Sequence, residues 1–235
     1  MKKIIVILSL IALPCLAYEV FQYTDFNSPA KKITQDEQLL FVIDFSQSMQ
    51  ERQNGESKVE MVQDVVSEFL TQIPQNIPIG LRVYGHKCGF TTLQACKASE
   101  LVVPISEGAI KLVSKQLSSL KPRGMTPITY SLKQAVKNDF KDFKGTKHII
   151  LFTDGGENCD ESPCKYAIEL SKLRQDFVID VIAFNIGNQD DLEQLECTAL
   201  VTKGEFYKAN TKEELMEVLG QISEKQKHVD AKIVD

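Results

Sequence analysis

Unbroken apolar runs alternate along this chain with stretches whose apolar residues recur every three or four positions. Leu39 to Ile43, His148 to Phe152 and the near-continuous Phe177 to Phe184 are of the first kind. Such runs fit strands covered on both faces in the middle of a parallel sheet. Ile79 to Tyr84 and Leu101 to Ile105 read as a second and a third strand, and Glu205 to Lys208 as a short last one. The helical period shows first in Val62, Val65, Val66, Phe69, Leu70 and Ile73. Ser57 with Glu60 forms the capping box that opens this helix, and Pro74 and Pro78 end it. The period returns in Ile110, Val113, Leu117 and Leu120, then in Ile128, Leu132, Ala135 and Val136 behind a Thr126-Pro127 start, with Thr126 as N-cap. Ser162-Pro163 opens another helix, Asp190 to Leu200 forms the next, and Thr211 with Glu214 caps a last one reaching about Lys225.

Strands alternating with helices predict an α/β fold with a doubly wound, mostly parallel sheet of six strands in the order 3-2-1-4-5-6 and helices on both faces. The link between the second and third strands has no helical period, so the third is expected as an antiparallel edge. In that order the first and fourth strands lie side by side. Their C-terminal ends, where open α/β sheets place ligands, bring Asp44 and Asp154 to one spot. The first strand runs straight into Asp44-Phe45-Ser46-Gln47-Ser48. Three oxygen side chains at alternate positions, one of them anionic, suit a hard divalent cation. A polar loop after a core strand is the plainer reading of the same residues.

The ends of the chain narrow the compartment. Lys2 and Lys3, an apolar run from Ile4 to Leu13 and the small-residue exit before Ala17 read as a signal peptide over residues 1–17. The run is too short to span a bilayer. A lipidated Cys15 is the rival, against which Ala12 and Pro14 make a poor lipobox. Residues 18–37 form a polar lead-in, 38–227 the domain and 228–235 a polar tail. The mature chain is thus expected outside the cytoplasm, in the periplasm or secreted, with no transmembrane segment. Losing Lys2 and Lys3 moves the formal net charge from −5 to −7. Acids and bases are interspersed without a basic stripe, which argues against nucleic acid as partner. In an oxidising compartment the cysteines after position 17 read as disulfides first. Cys88–Cys96 is expected to close the loop between them, and Cys164–Cys197 to pair because Cys197 lies off the Leu192/Leu195/Ala199 face. One thiol is left over.

Asp44, Ser46 and Ser48 in D-x-S-x-S, Thr126 in G-M-T-P and Asp154 in T-D-G-G together resemble the von Willebrand factor type A domains that carry a metal-ion-dependent adhesion site. The likeness covers about Leu39 to Lys225. The Y-G-H…C…E-L-V-V-P and T-D-G-G-E-N-C…P-C stretches look like those of bacterial extracytoplasmic members. The resemblance implies that Ser46, Ser48 and Thr126 give hydroxyl oxygens to Mg²⁺, with Mn²⁺ or Ca²⁺ as substitutes, and that Asp44 and Asp154 act partly through water. It also implies a protein partner that supplies a Glu or Asp to the ion. Two carboxylates with neutral hydroxyls leave the ion electrophilic, as a docking point needs.

The enzyme alternative is a metal-dependent phosphotransferase or hydrolase. Such sites want a second acid where Ser46 stands, and a serine cannot hold a proton for transfer near neutral pH. Walker loops and G-x-S-x-G are absent. A metal-stabilised structural domain without a ligand in trans is the third reading. His86 near Cys88 and Cys96 raises zinc, against which a disulfide beside a structural histidine is preferred.

Overall fold

The computed structural model describes residues 37–230, with side chains through Ile222. The expected signal peptide and almost all of the lead-in lie outside the described residues, as does the end of the tail. Six strands form the main sheet: β1 (Glu37–Asp44), β2 (Ile79–Tyr84), β3 (Ser99–Ser106), β4 (Thr146–Thr153), β5 (Phe177–Phe184) and β6 (Phe206–Ala209). Their order is β3-β2-β1-β4-β5-β6, parallel except for β3, which runs antiparallel to β2 at the edge. The expected topology therefore holds strand for strand. A small ribbon, Arg52–Gln53 with Glu56–Ser57, stands apart from the sheet.

The strand pleat sorts β1 between two cores. Leu39, Phe41 and Ile43 face α1 (Lys58–Leu70), α3 (Ile110–Ser119) and α7 (Lys212–Asp230), joining Val62, Val66, Val113 and Leu219. Leu40 and Val42 face the other way, with Ile128, Leu132, Leu170 and Leu195. That second layer is α4 (Ile128–Gln134), α5 (Pro163–Leu173) and α6 (Gln189–Val201). All eight residues of β5 are buried, which is why this strand reads as an apolar run rather than an alternation; β2 is buried throughout as well, with Arg82 inside it. β3 alternates and carries Pro104, as an edge strand can.

Several local readings need correction. Thr126 does not cap α4; Pro127 is the N-cap, and its carbonyl accepts Ser131 N at 3.0 Å. The orphan N–H of Thr129 is met from another loop, by Glu157 Oε2 at 2.7 Å, so α4 needs no cap from Thr126. The α4 helix also widens into a π-turn over Ala135–Asp139. This turn delivers Asp139 to Arg82 as a two-pronged buried ion pair at 2.6 and 2.7 Å. The long loop between β2 and β3 contains a four-residue helix, α2 (Thr92–Ala95), that no periodicity announced. The backbone of α7 continues to Asp230, into the expected polar tail.

The disulfide expectation is half replaced. Cys96 is joined to Cys159, with Cα atoms 5.5 Å apart, so the Cys88–Cys96 pairing does not form. Cys96 ends the α2 turn beside the loop after β4, while the free Cys88 sulfur points to the Arg123 carbonyl at 3.4 Å. Cys164 and Cys197 are joined and staple α5 to α6.

Candidate metal centre

β1 delivers its last residue, Asp44, fully buried at the top of the sheet. The chain then folds over on itself, because Ser46 N donates to Asp44 Oδ1 at 2.6 Å, an Asx-type turn. A short 3₁₀ turn, Gln47–Gln50, follows and is pinned from below by the buried Met49. Gly85, just past β2, makes this fold-over possible. It sits at φ +70°, and a Cβ there would lie 2.5 Å from Ser46 N and 2.7 Å from Met125 O. The third segment joins by backbone: Gln47 N donates to Gly124 O at 3.0 Å, and Gly124 N to Gly85 O at 2.6 Å.

Four of the five expected residues meet directly. Ser46 Oγ and Ser48 Oγ are 3.0 Å apart, and Ser48 Oγ donates to Asp154 Oδ1 at 2.7 Å. Thr153 Oγ1 donates to Asp44 Oδ2 at 2.9 Å. Thr126, buried two residues beyond Gly124, is fixed through its backbone, its N–H donating to Asn158 Oδ1 at 2.7 Å. Metal–oxygen bonds of 2.0–2.1 Å put neighbouring octahedral ligands about 2.9 Å apart. The Ser46–Ser48 and Ser48–Asp154 spacings are of that size, and the donor set is all oxygen, so these residues fit a hard divalent cation.

The electrostatics point the same way. Burial, and then the charge of Asp154, raise the Asp44 pKa to about 7, despite hydrogen bonds from Ser46 and Thr153 that favour the carboxylate. Two acids packed this closely lack positive charge. One cation is nevertheless in place and was missed in the sequence. Lys58, only 4% exposed, reaches Asp154 Oδ2 at 2.9 Å and Glu51 Oε2 at 2.6 Å. Burial works against its charge, but the bonds to Glu51 and Asp154 outweigh it and raise its pKa. A signal existed: Lys58 is the first residue of α1, and a cation at a helix N-terminus opposes the macrodipole. Glu157 and Asn158, also missed, clasp the Thr126 loop to the loop after β4. Burial raises the Glu157 pKa, against its hydrogen bonds to Thr129 and Cys159.

The zinc alternative has no geometry. Cys96 is in a disulfide, and His86 bonds Glu100 through Nε2 at 3.0 Å. Among the described residues no three His, Cys, Asp or Glu side chains are grouped to hold a metal. Nor is any described helix long and apolar enough to cross a membrane. His148 is half-buried at the other end of the sheet between Glu37 Oε1 (3.0 Å) and Asp180 Oδ2 (2.8 Å).

Comparison with known proteins places the fold in a family. YwmD of Bacillus subtilis (strain 168) is 30% identical over 187 residues, spanning 76% of this chain and 81% of that protein. Among solved structures, proximal thread matrix protein 1 from the mussel byssus, in a form with a zinc-occupied MIDAS motif, superposes with a TM-score of 0.60 at 17% identity. That match covers 80% of this chain and 44% of the mussel chain, so the present protein spans under half of it. The vWF domain of the type V pili tip protein Mfa5 from Porphyromonas gingivalis gives a TM-score of 0.60 at 12% identity, over 85% of this chain and 96% of that one. The von Willebrand factor type A domain pattern itself matches residues 38–224. With that match over most of its length, the chain belongs to the von Willebrand factor type A domain family.

Proposed function

We propose that this protein is an extracytoplasmic binding module that docks a partner protein's carboxylate through a divalent cation of the Mg²⁺ type. The observation that carries the reading is the Asp44–Ser46–Ser48–Asp154 oxygen cluster, with its two buried acids and Lys58 as the cation on Asp154. Ser46, Ser48 and Thr126 would hold the ion by their hydroxyls, and Asp44 and Asp154 would hold it partly through water. Mn²⁺ and Ca²⁺ share the required chemistry. When bound, such an ion supplies an electrophilic position that a Glu or Asp in trans can fill.

The chain's own residues prepare that position. Thr153 and the Ser46 N–H orient the Asp44 carboxylate, Ser48 orients Asp154, and Lys58 holds the second Asp154 oxygen. The same inventory speaks against catalysis, since Ser46 stands where a phosphotransferase would carry its general acid. An extracytoplasmic setting is supported by the two disulfides and by the signal-like residues 1–17. Isothermal titration with MgCl₂ tests the reading. One site per chain is expected in the native protein and none in Asp44→Ala. Equal uptake by both would remove the assignment.

A further inference from the structure

Resting on that proposed cation site, the deeper question is what sort of partner segment the surface beside it would accept. The rim of the site is electrically lopsided. From Gly85 to Ser99, and again from Lys121 to Pro127, there is not one acid, although the whole chain has net charge −5. Lys87, Lys97, Lys121 and Arg123 are all exposed there, Lys87 being already paired with Glu100, the residue after the first stretch. The two stretches are in contact, since Arg123 N and Gly124 N both donate to Gly85 O. Besides Glu100, the acids nearest to this rim, Glu157, Asp160 and Glu161, flank Cys159 on the loop after Asp154.

The cationic rim also bears the most exposed large apolar residues close to the site. Phe90 is 102% exposed and Leu93 67%, three residues apart on one turn. This turn is not loose. A Cβ on Gly89 would lie 2.3 Å from Ala95 N, so the backbone closes tightly on itself. Phe90 N donates to the Gln94 side chain, and Thr91 caps α2. The far end of the turn is fastened by Cys96–Cys159 to the loop that follows Asp154, and the near end lies on Ser46 through Gly85. Two apolar tips are thus held out on a braced loop whose two ends are tied to the segments of the site, at the entropic advantage that preorganised anchors have.

We infer that the partner segment is an acidic one in which the docking carboxylate is flanked by further acids and by a large apolar side chain. The flanking acids would face Lys97, Lys121 and Arg123, and the apolar side chain would pack on Phe90 and Leu93.

Three fluorescein-labelled peptides test this by anisotropy in millimolar Mg²⁺, with chelator as control: GSFEDEFGS, its serine counterpart GSSEDESGS and the lysine-flanked GSFKDKFGS. The full chain is used as native protein, as Phe90→Ser with Leu93→Ser, and as Lys97→Glu with Arg123→Glu. Mg²⁺ uptake of each variant is titrated in parallel. The first peptide should bind at least about tenfold tighter than the other two. Phe90→Ser with Leu93→Ser should erase the preference over the serine peptide, and Lys97→Glu with Arg123→Glu that over the lysine-flanked peptide, each taking up Mg²⁺ as before. Equal binding of the three peptides, or binding of none, by protein that takes up Mg²⁺ overturns the inference and leaves the cation site standing. Failure to take up Mg²⁺ removes both. Self-association of the native chain that Phe90→Ser with Leu93→Ser abolishes would assign the turn to a second copy and also overturn it.

Discussion

Lys58 carries its charge where a helix least favours one, and Asp154 supplies the reason. The pair is buried, so removing one member leaves the other uncompensated, at a cost of about 3 kcal/mol or more. Lys58→Met should therefore lower the melting temperature of the metal-free protein. Saturating Mg²⁺ should recover most of that loss, because the ion would replace the missing positive charge. Thermal melts of both proteins with and without Mg²⁺ check this, and an unrecovered loss would mean that Lys58 serves packing alone. His148 makes a second residue-scale case. Burial pulls its pKa down, but the charge and hydrogen bond of Asp180, with those of Glu37, raise it to about 9. In the unfolded chain the value returns to about 6.5. The imidazolium's contribution is then complete below pH 6.5, shrinks as pH rises and is gone above about 9. The linked stability is of order 3 kcal/mol. Urea unfolding at pH 6, 7.5 and 9.5 should show this fall, and His148→Gln should be less stable at pH 6 and lack the slope.

At the scale of elements, the site depends on loops that are held by one another. Asn158 anchors the backbone of Thr126, Glu157 takes over the capping of α4, and Cys159 ties the same loop to the β2–β3 loop. Asn158→Ala should weaken Mg²⁺ binding about tenfold, the equivalent of one lost hydrogen bond of roughly 1.4 kcal/mol. Replacing Cys96 and Cys159 together by serine should cost about 4 kcal/mol of stability by the chain-entropy argument for a loop of this length. It should also weaken Mg²⁺ binding in the same direction as Asn158→Ala, whereas serines at Cys164 and Cys197 should lower stability and leave Mg²⁺ affinity unchanged. Comparable loss of affinity in both cysteine variants would show that the site is not organised by the first disulfide.

For the whole molecule, the strand order was legible because period and polarity are local signals that the sheet does not override. β1 and β5 read as apolar runs because they are buried on both faces, and the aperiodic link marked β3 as the antiparallel edge. What sequence pattern left unread is what long-range pairing decides. Cys96 could be assigned to Cys159 only once α2 and the loop after β4 were seen to meet. The π-turn at Ala135 answers Arg82, a residue more than fifty positions away. Lys58 and His148 found Asp154 and Asp180, acids on segments far along the chain. Asp44, Ser46, Ser48 and Asp154 do stand together, while Thr126 was credited with a cap that Glu157 performs.

The central claim is that these oxygens share one cation, and a crystal grown or soaked with Mn²⁺ tests it most directly through anomalous scattering. The account predicts a single strong peak within coordination reach of Ser46 Oγ, Ser48 Oγ and Thr126 Oγ1. A map without that peak, or with the ion seated instead among Glu157, Glu161 and Asp191, would contradict it.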